Sequence, residues 1–142
     1  MRISYKQDKR NHQYYLSKAR LKCVDSYKDL GVIESRDLSW SNHVDTLVNK
    51  ANKVLGLLKR TVGSKNREIF SVLYRSLVRP LLEYASPPWS PYLVKENLAI
   101  ESIQRRASRI VLGQKRSEMS YEDRCELLGW STLERRREYF SL

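Results

Sequence analysis

Short apolar runs alternate with polar stretches over the first thirty-five residues. Residues 14–16 (YYL) and 21–24 (LKCV) favour β-strands, and residues 30–33 (LGVI) form a compact apolar run in which Gly31 lets another backbone approach closely. Residues 6–12 are wholly polar and are predicted to form a hairpin loop. This pattern predicts a small antiparallel sheet at the amino-terminal end.

The period changes near Ser41, where apolar residues begin to recur at steps of three and four. The stripe consists of Val44, Leu47, Val48, Ala51, Val54, Leu55, Leu58 and Val62. It predicts one long helix with Ser41 as the N-cap and Gly63 as the stop. Off the stripe lie Lys50, Lys53, Lys59 and Arg60. For any one of these residues, the simplest interpretation is that it belongs to an ordinary solvated helix face.

A second helix is predicted after the break at residues 63–66, with a wide apolar face built from Phe70, Tyr74 and their neighbours. Pro80 lies inside this pattern and predicts a kink or a stop. Arg75 and Arg79 are four residues apart and are predicted to share a face.

The proline-rich residues 86–92 (SPPWSPY) are predicted to form a rigid connection that is neither helix nor central strand. We interpret Trp89, which lies in this segment, as a buried packing anchor. The alternative is that its ring is a platform on which a nucleic-acid base stacks.

A third helix is predicted from about Lys95 to Leu112, and Gly113 ends it. It carries the densest basic cluster in the chain, with Arg105, Arg106 and Arg109. Residues 120–123 (SYED) predict a capped fourth helix, and Thr132 can cap a last helical segment over residues 133–142. The fold class is therefore mainly α with a small N-terminal β element, as a bundle of three to five helices. Residues 1–38 form the strand region and residues 39–142 the helical region.

Charge adds information that periodicity does not contain. The 142 residues include 27 Lys and Arg against 16 Asp and Glu, a formal net charge of +11. Residues 46–116 hold fourteen basic and four acidic residues, whereas residues 117–142 hold four and six. This balance favours a polyanionic partner such as nucleic acid, bound in the middle of the chain.

Common catalytic signatures are missing from the sequence. There is no Asp-Asp dipeptide of the kind that holds paired metal ions, no phosphate-binding glycine loop and no nucleophile elbow. His43 could serve as a base, but we interpret it as a structural residue. We interpret Cys23 and Cys125 as two reduced thiols and not as zinc ligands. No signal peptide or membrane span is apparent, so an intracellular, cytoplasmic or nuclear protein without a small-molecule substrate is expected.

Several ordered strings resemble the region that follows the catalytic palm in non-LTR, LINE-type reverse transcriptases of the jockey-like group. They are residues 26–32 (SYKDLGV), 38–44 (LSWSNHV), 50–56 (KANKVLG), 73–80 (LYRSLVRP), 82–92 (LEYASPPWSPY), 103–107 (IQRRA), and 120–124 with 127–130 (SYEDR and LLGW). The matches keep the family order across almost the whole chain. Pro88 departs from the pattern, because the family usually has a small apolar residue at that position.

The resemblance implies that residues 1–38 are the tail of the palm and that residues 39–142 are the thumb and connecting helices that grip a template–primer duplex. The fingers, most of the palm and the endonuclease of such a polymerase are not in this sequence, so catalysis by the chain alone is not expected. The missing palm and fingers are then expected partners, and no cofactor is expected here because Mg²⁺ belongs to the missing palm.

The binding residues expected on this view contact phosphates without reading sequence. They are Lys50, Lys53, Lys59, Arg60, Arg75, Arg79, Arg105, Arg106 and Arg109. The alternative is a helical protein-interaction module without a nucleic-acid role, for which replacing Arg105, Arg106 and Arg109 by Ala would leave partner binding intact.

Overall fold

A computed structural model describes residues 13–62, 66–89, 91–113 and 119–140. The fold is mainly helical with two small β-hairpins at the amino-terminal side, which confirms the predicted fold class. The described part of the chain divides between His43 and Val44 into two compact units.

The amino-terminal unit contains two antiparallel hairpins. Strand β1 (Tyr15–Leu16) pairs with β2 (Ala19–Arg20), and β3 (Ser26–Asp29) pairs with β4 (Val32–Ser35). Each hairpin closes through two residues that both have positive φ, at 46° and 71° in the first and 45° and 90° in the second. Two-residue loops with positive φ at both positions match the right-handed twist of the flanking strands.

Three predictions for this unit need correction or fall outside the described residues. Residues 21–24 form no strand, and the predicted apolar run 30–33 is divided, because Leu30 and Gly31 form the turn of the second hairpin. Gly31 therefore supplies the positive φ that the second turn position requires. The loop predicted at residues 6–12 lies outside the described residues.

Helix α1 (Ser41–Thr61) and helix α5 (Val94–Leu112) are the two long helices. Both follow the predicted periodicity, with Val44, Ala51 and Leu55 buried on α1 and Ile103 and Ala107 buried on α5. The Gly113 N–H donates to the Arg109 carbonyl at 2.9 Å and ends α5 at the predicted position. The predicted stop of α1 at Gly63 lies outside the described residues.

Helix α2 (Arg67–Leu73), a π-helical turn (Tyr74–Val78) and helix α3 (Arg79–Glu83) form one continuous helical segment. The helical segment continues through Pro80 to Glu83, so the predicted stop at Pro80 does not occur. A π turn precedes the proline, and the Arg79 N–H donates to the Tyr74 carbonyl. Four α-helical residues rotate by about 400°, so side chains spaced by four drift around the helix by about 40° per step. The wider π turn reduces this drift.

The buried residues of this segment show the result. Phe70, Tyr74, Val78 and Leu82 all lie at 0% exposure, although they are spaced by four over three successive steps. The π turn thus keeps the apolar face aligned with the core.

Helix α4 (Ser86–Trp89) is a single helical turn, which corrects the prediction that residues 86–92 exclude helix. Prolines are compatible with a first helical turn, because the N–H groups there have no intrahelical acceptor. Pro87 and Pro88 both lie in this turn.

Helices α6 (Tyr121–Leu128) and α7 (Leu133–Phe140) follow, with the predicted caps. The Ser120 hydroxyl accepts from the Asp123 N–H at 3.1 Å, and the Thr132 hydroxyl accepts from the Arg135 N–H at 3.3 Å. Gly129 takes the left-handed conformation at the end of α6. These caps are local features, which is why the sequence reveals them.

A buried polar network connects α5 to the π turn, to α6 and to the start of α7. Gln104 accepts from the Tyr74 hydroxyl at 3.0 Å and donates to the Ser131 carbonyl at 2.9 Å. Glu101 accepts from the Tyr121 hydroxyl and from the Leu133 N–H at 3.1 Å. The Glu101 carboxylate thereby lies at the N-terminus of α7, where the helix dipole favours a negative charge.

Candidate nucleic-acid interface

Helix α1 presents a basic face opposite its buried stripe. Lys50, Lys53 and Arg60 are spaced by three and seven residues, so they fall within one side of the helix. Lys59 lies on a flank, in line with Asn52 seven residues earlier. All four cations are exposed, as phosphate contact requires.

Helix α5 presents a second exposed pair, Arg106 and Arg109, three residues apart on its outer face. Arg105 differs from them. Its guanidinium carbon lies 4.8 Å from the centre of the Tyr121 ring, and the side chain is half-buried. Arg105 is thus held against the core by a cation–π contact, with less of its surface open to a phosphate than Arg106 or Arg109.

One hydrogen bond joins the basic stretches of the two long helices. The Arg106 Nη1 donates to the Asn52 Oδ1 at 2.7 Å. Since Lys59 shares a stripe with Asn52, Arg106 of α5 contacts the flank of α1 that also carries Lys59. The structure therefore places Arg106 of α5 beside α1, although 54 positions separate it from Asn52. Lys50, Lys53 and Arg60 lie further around α1, and no recorded side-chain contact of the described residues joins them to α5.

Arg75 and Arg79 belong to the π turn and α3. Arg75 is exposed, whereas the Arg79 side chain is 20% exposed and its Nε lies 3.8 Å from the Glu83 Oε1. Burial is the main cause that lowers the pKa of Arg79, and the neighbouring positive charge of Arg136 lowers it further. Arg79 is thereby part of an ion cluster around Glu83, and no recorded side-chain contact of the described residues joins it to Asn52 or Arg106.

The run 135–137 shows what sequence reasoning missed. Arg136 donates through Nη2 to the Glu83 Oε2 at 3.1 Å, and the hydrogen bond to Glu83 raises the pKa of Arg136. Arg137 is buried and donates to the Asn97 Oδ1 at 2.8 Å. Only Arg135 of the three is exposed. A signal for Arg137 exists in the sequence, since it follows buried Leu133 by four residues and therefore shares its helix face.

Arg124 is a further basic residue with a structural role. It is 2% exposed, its Nε donates to the Ser108 hydroxyl at 3.1 Å, and it also donates to the Met119 carbonyl. Arg124 thus ties α6 to α5 and contributes nothing to an exposed basic surface.

Trp89 is the packing anchor that its context predicts. The ring is 0% exposed, and its Nε1 donates to the Tyr84 carbonyl at 2.8 Å. No ring face is left for a nucleic-acid base, so the alternative role of Trp89 as a stacking platform is excluded.

His43 is structural within the amino-terminal unit. It is 1% exposed, and its Nδ1 accepts from the Ile33 N–H at 3.2 Å. Burial lowers the pKa of His43, which keeps the ring neutral as this hydrogen bond requires.

The described residues show neither a metal-ligand cluster nor a membrane span. Within these ranges no cluster of three or more His, Cys, Asp and Glu side chains is placed to hold a metal ion. Cys23 is exposed and Cys125 is buried, both as free thiols. No helix in the described part of the chain is both long and apolar enough to cross a membrane.

Comparison with known proteins adds no relative: no family model, curated protein or solved structure matches the chain. The assignment of function therefore depends on the sequence pattern and on the geometry above.

Proposed function

We propose that this chain is the thumb-like part of a reverse transcriptase of the non-LTR retrotransposon class, and that its own property is binding of template–primer nucleic acid without sequence preference. The observation that supports this most is the exposure of basic side chains on α1 and α5, with one hydrogen bond, Arg106 to Asn52, between the two helices. We define this surface, the α1–α5 basic surface, as Lys50, Lys53, Lys59, Arg60, Arg106 and Arg109.

The chemistry of this surface fits a phosphate backbone. Lys and Arg side chains on exposed helix faces can contact phosphate groups of any sequence. Sequence recognition would instead need side chains held in fixed positions to form hydrogen bonds with base edges. No carboxylate interrupts α1 after Asp45. A regular polyanion is therefore a better match than an acidic protein patch.

The test is the salt dependence of binding to a labelled RNA–DNA hybrid, followed by fluorescence anisotropy. We expect affinity to fall steeply as salt rises, with a slope of roughly 0.9 log units of affinity per log unit of salt for each phosphate contact. Binding that is insensitive to salt would contradict the proposal.

A matched pair of triple variants locates the site. Replacing Lys53, Arg60 and Arg109 by Ala should weaken binding and flatten the salt slope. The control replaces Arg20, Lys22 and Lys28, three exposed cations of the amino-terminal unit, by Ala. Both variants lose three positive charges, so equal losses of affinity would mean that net charge alone attracts the hybrid.

Catalysis is a separate question, and primer extension addresses it. We expect the chain by itself to incorporate no nucleotide on a primed RNA template, because the sequence lacks the paired carboxylates that two-metal polymerases use. Incorporation that scales with the concentration of the purified chain would contradict this part of the proposal.

A further inference from the structure

Two adjoining hollows open on the side of the molecule formed by α3, α4 and α7. The first has a volume of about 490 Å³ and is bounded by Pro80, Tyr84, Pro87 and Phe140. The second has a volume of about 260 Å³ and is lined by Arg135, Arg136, Tyr139 and Phe140 among others. Phe140 lines both hollows, and we call this part of the surface, bounded by Tyr84, Arg135, Arg136, Tyr139 and Phe140, the track.

Three aromatic side chains of this track are open to solvent. Tyr139 is 75% exposed, Tyr84 is 56% exposed and Phe140 is 46% exposed, whereas the core tyrosine Tyr74 is 0% exposed. The Tyr139 and Phe140 ring centres are 6.1 Å apart in an edge-to-face arrangement, so their ring faces point in different directions. Exposed ring faces beside open volume are available to a planar ligand.

Positive charge lines the same track. Arg135 is exposed, and the guanidinium carbon of Arg136 lies 5.5 Å from the centre of the Phe140 ring. Glu83 orients Arg136 through two hydrogen bonds and also pairs with Arg79, so its negative charge is more than balanced by the two arginines. The wall is therefore cationic as well as aromatic.

We propose that this track binds a single-stranded nucleic acid, with bases stacked on Tyr139 and Tyr84 and a phosphate at Arg135. The inference rests on the proposed function, and it assigns unpaired bases to a surface separate from the α1–α5 basic surface. Aromatic faces and arginines side by side are the recognised combination for single strands. A duplex does not fit, because its bases already stack on one another and present no free face to a side chain.

An acidic or aromatic peptide is the competing occupant. The exposed Arg135 and the two arginines around Glu83 favour a polyanion with planar groups over a peptide. The experiment distinguishes a nucleic acid from a peptide because it removes the bases of the ligand as well as an aromatic ring of the protein.

The test measures binding of a labelled oligothymidine of about ten nucleotides, a length that one stacking groove spans, by fluorescence anisotropy. Replacing Tyr139 by Ala should weaken binding about fivefold or more, whereas Tyr139→Phe keeps the ring and should bind like the unchanged chain. The control is Tyr92→Ala, which removes a similarly exposed tyrosine, 71% exposed, that lines neither hollow.

An abasic oligonucleotide of the same length completes a double-mutant cycle. If the rings stack on bases, the abasic ligand binds weakly to the unchanged chain and Tyr139→Ala weakens it no further. Equal loss of affinity for abasic and normal ligands would overturn the stacking assignment and leave the track to a peptide.

Failure of this inference is distinguishable from failure of the proposed function. If the RNA–DNA hybrid binds with a steep salt dependence while Tyr139→Ala leaves oligothymidine binding unchanged, only the track is wrong. If the unchanged chain binds neither ligand, the proposed function itself is wrong. Thermal unfolding of Tyr139→Ala checks that the fold persists, which its exposure leads us to expect.

Discussion

The ring of Tyr74 stacks on the ring of Trp130 with centroids 4.7 Å apart and planes inclined by 23°. Tyr74 begins the π turn, and Trp130 lies in the loop between α6 and α7. The Tyr74 hydroxyl also donates to Gln104. This one residue therefore connects the central helical segment to α5 and to the carboxy-terminal helices.

Truncation of this stack should be among the most damaging single changes. Trp130 is 5% exposed, and Trp130→Ala should cost about 3–5 kcal/mol of unfolding free energy because it leaves a cavity beside Tyr74. Urea denaturation followed by circular dichroism measures the loss.

The milder variant Tyr74→Phe keeps the ring and removes one buried hydrogen bond, for an expected cost of about 1–2 kcal/mol. Tyr92→Phe is the matched control, since Tyr92 is exposed and should change stability little. A Trp130→Ala variant as stable as the unchanged chain would disprove the stacked arrangement.

Glu101→Gln tests the carboxylate at the start of α7. Its two oxygens accept from the Leu133 N–H and from the Glu134 N–H at 3.3 Å, and an amide group can accept through only one oxygen. We expect a loss of about 1–3 kcal/mol, from the unpaired donor and from the lost charge at the helix N-terminus.

The loss on Glu101→Gln should appear in urea denaturation. Glu126→Gln removes one carboxylate from an exposed position on α6 and serves as the control. Equal, small effects of the two substitutions would show that the buried carboxylate does not hold α7.

His43 should make the second hairpin sensitive to acid. Burial lowers the pKa of His43 below its usual 6.5, so the unfolded chain binds more protons than the folded chain at and below that pH. The contribution of neutral His43 to stability is complete above about pH 6.5 and decreases as pH falls below it.

Amide exchange at Ile33 reports this directly, because its N–H donates to the His43 Nδ1. The protection factor of Ile33 should decrease as pH falls from about 7.5 to about 5. In His43→Asn a side-chain oxygen replaces Nδ1 without titrating, and the protection factor should then stay constant. A protection factor of the unchanged chain that does not vary with pH would contradict the role of His43.

Glu83→Gln tests the ion cluster shared by α3 and α7. The Glu83 side chain is 11% exposed, and its removal leaves Arg79 and Arg136 close together without a counter-charge. We expect a cost of about 2 kcal/mol, below that of a fully buried pair because both arginines keep some solvent contact.

Chemical denaturation again measures the cost of Glu83→Gln, with Glu68→Gln on the exposed face of α2 as control. Added salt should recover part of the loss by screening the two arginines. A stable Glu83→Gln variant would mean that the cluster is an exposed, weak ion pair.

The candidate site was predictable to the extent that it depends on helix periodicity. The off-stripe positions Lys50, Lys53 and Arg60 are exposed as their spacing on α1 predicts. The sequence did not show that Arg105 and Arg79 are less exposed than these three residues. Arg105 is covered by its contact with Tyr121, and Arg79 by its contact with Glu83. These partners come from other turns or other helices, and no local pattern indicates them.

The sequence by itself determined the mainly helical class, the start of α1, the extent of α5, the caps at Ser120, Thr132 and Gly113, and the concentration of charge between residues 46 and 116. Each of these is a property of neighbouring residues along the chain, governed by helix periodicity and by backbone hydrogen bonds within one turn.

Only the tertiary structure decided that Arg79 and Arg105 are partly covered, that a π turn precedes Pro80, and that Tyr84, Tyr139 and Phe140 line the track. Burial and ion pairing depend on residues distant in sequence that meet through packing, so they become visible once the helices are placed against each other.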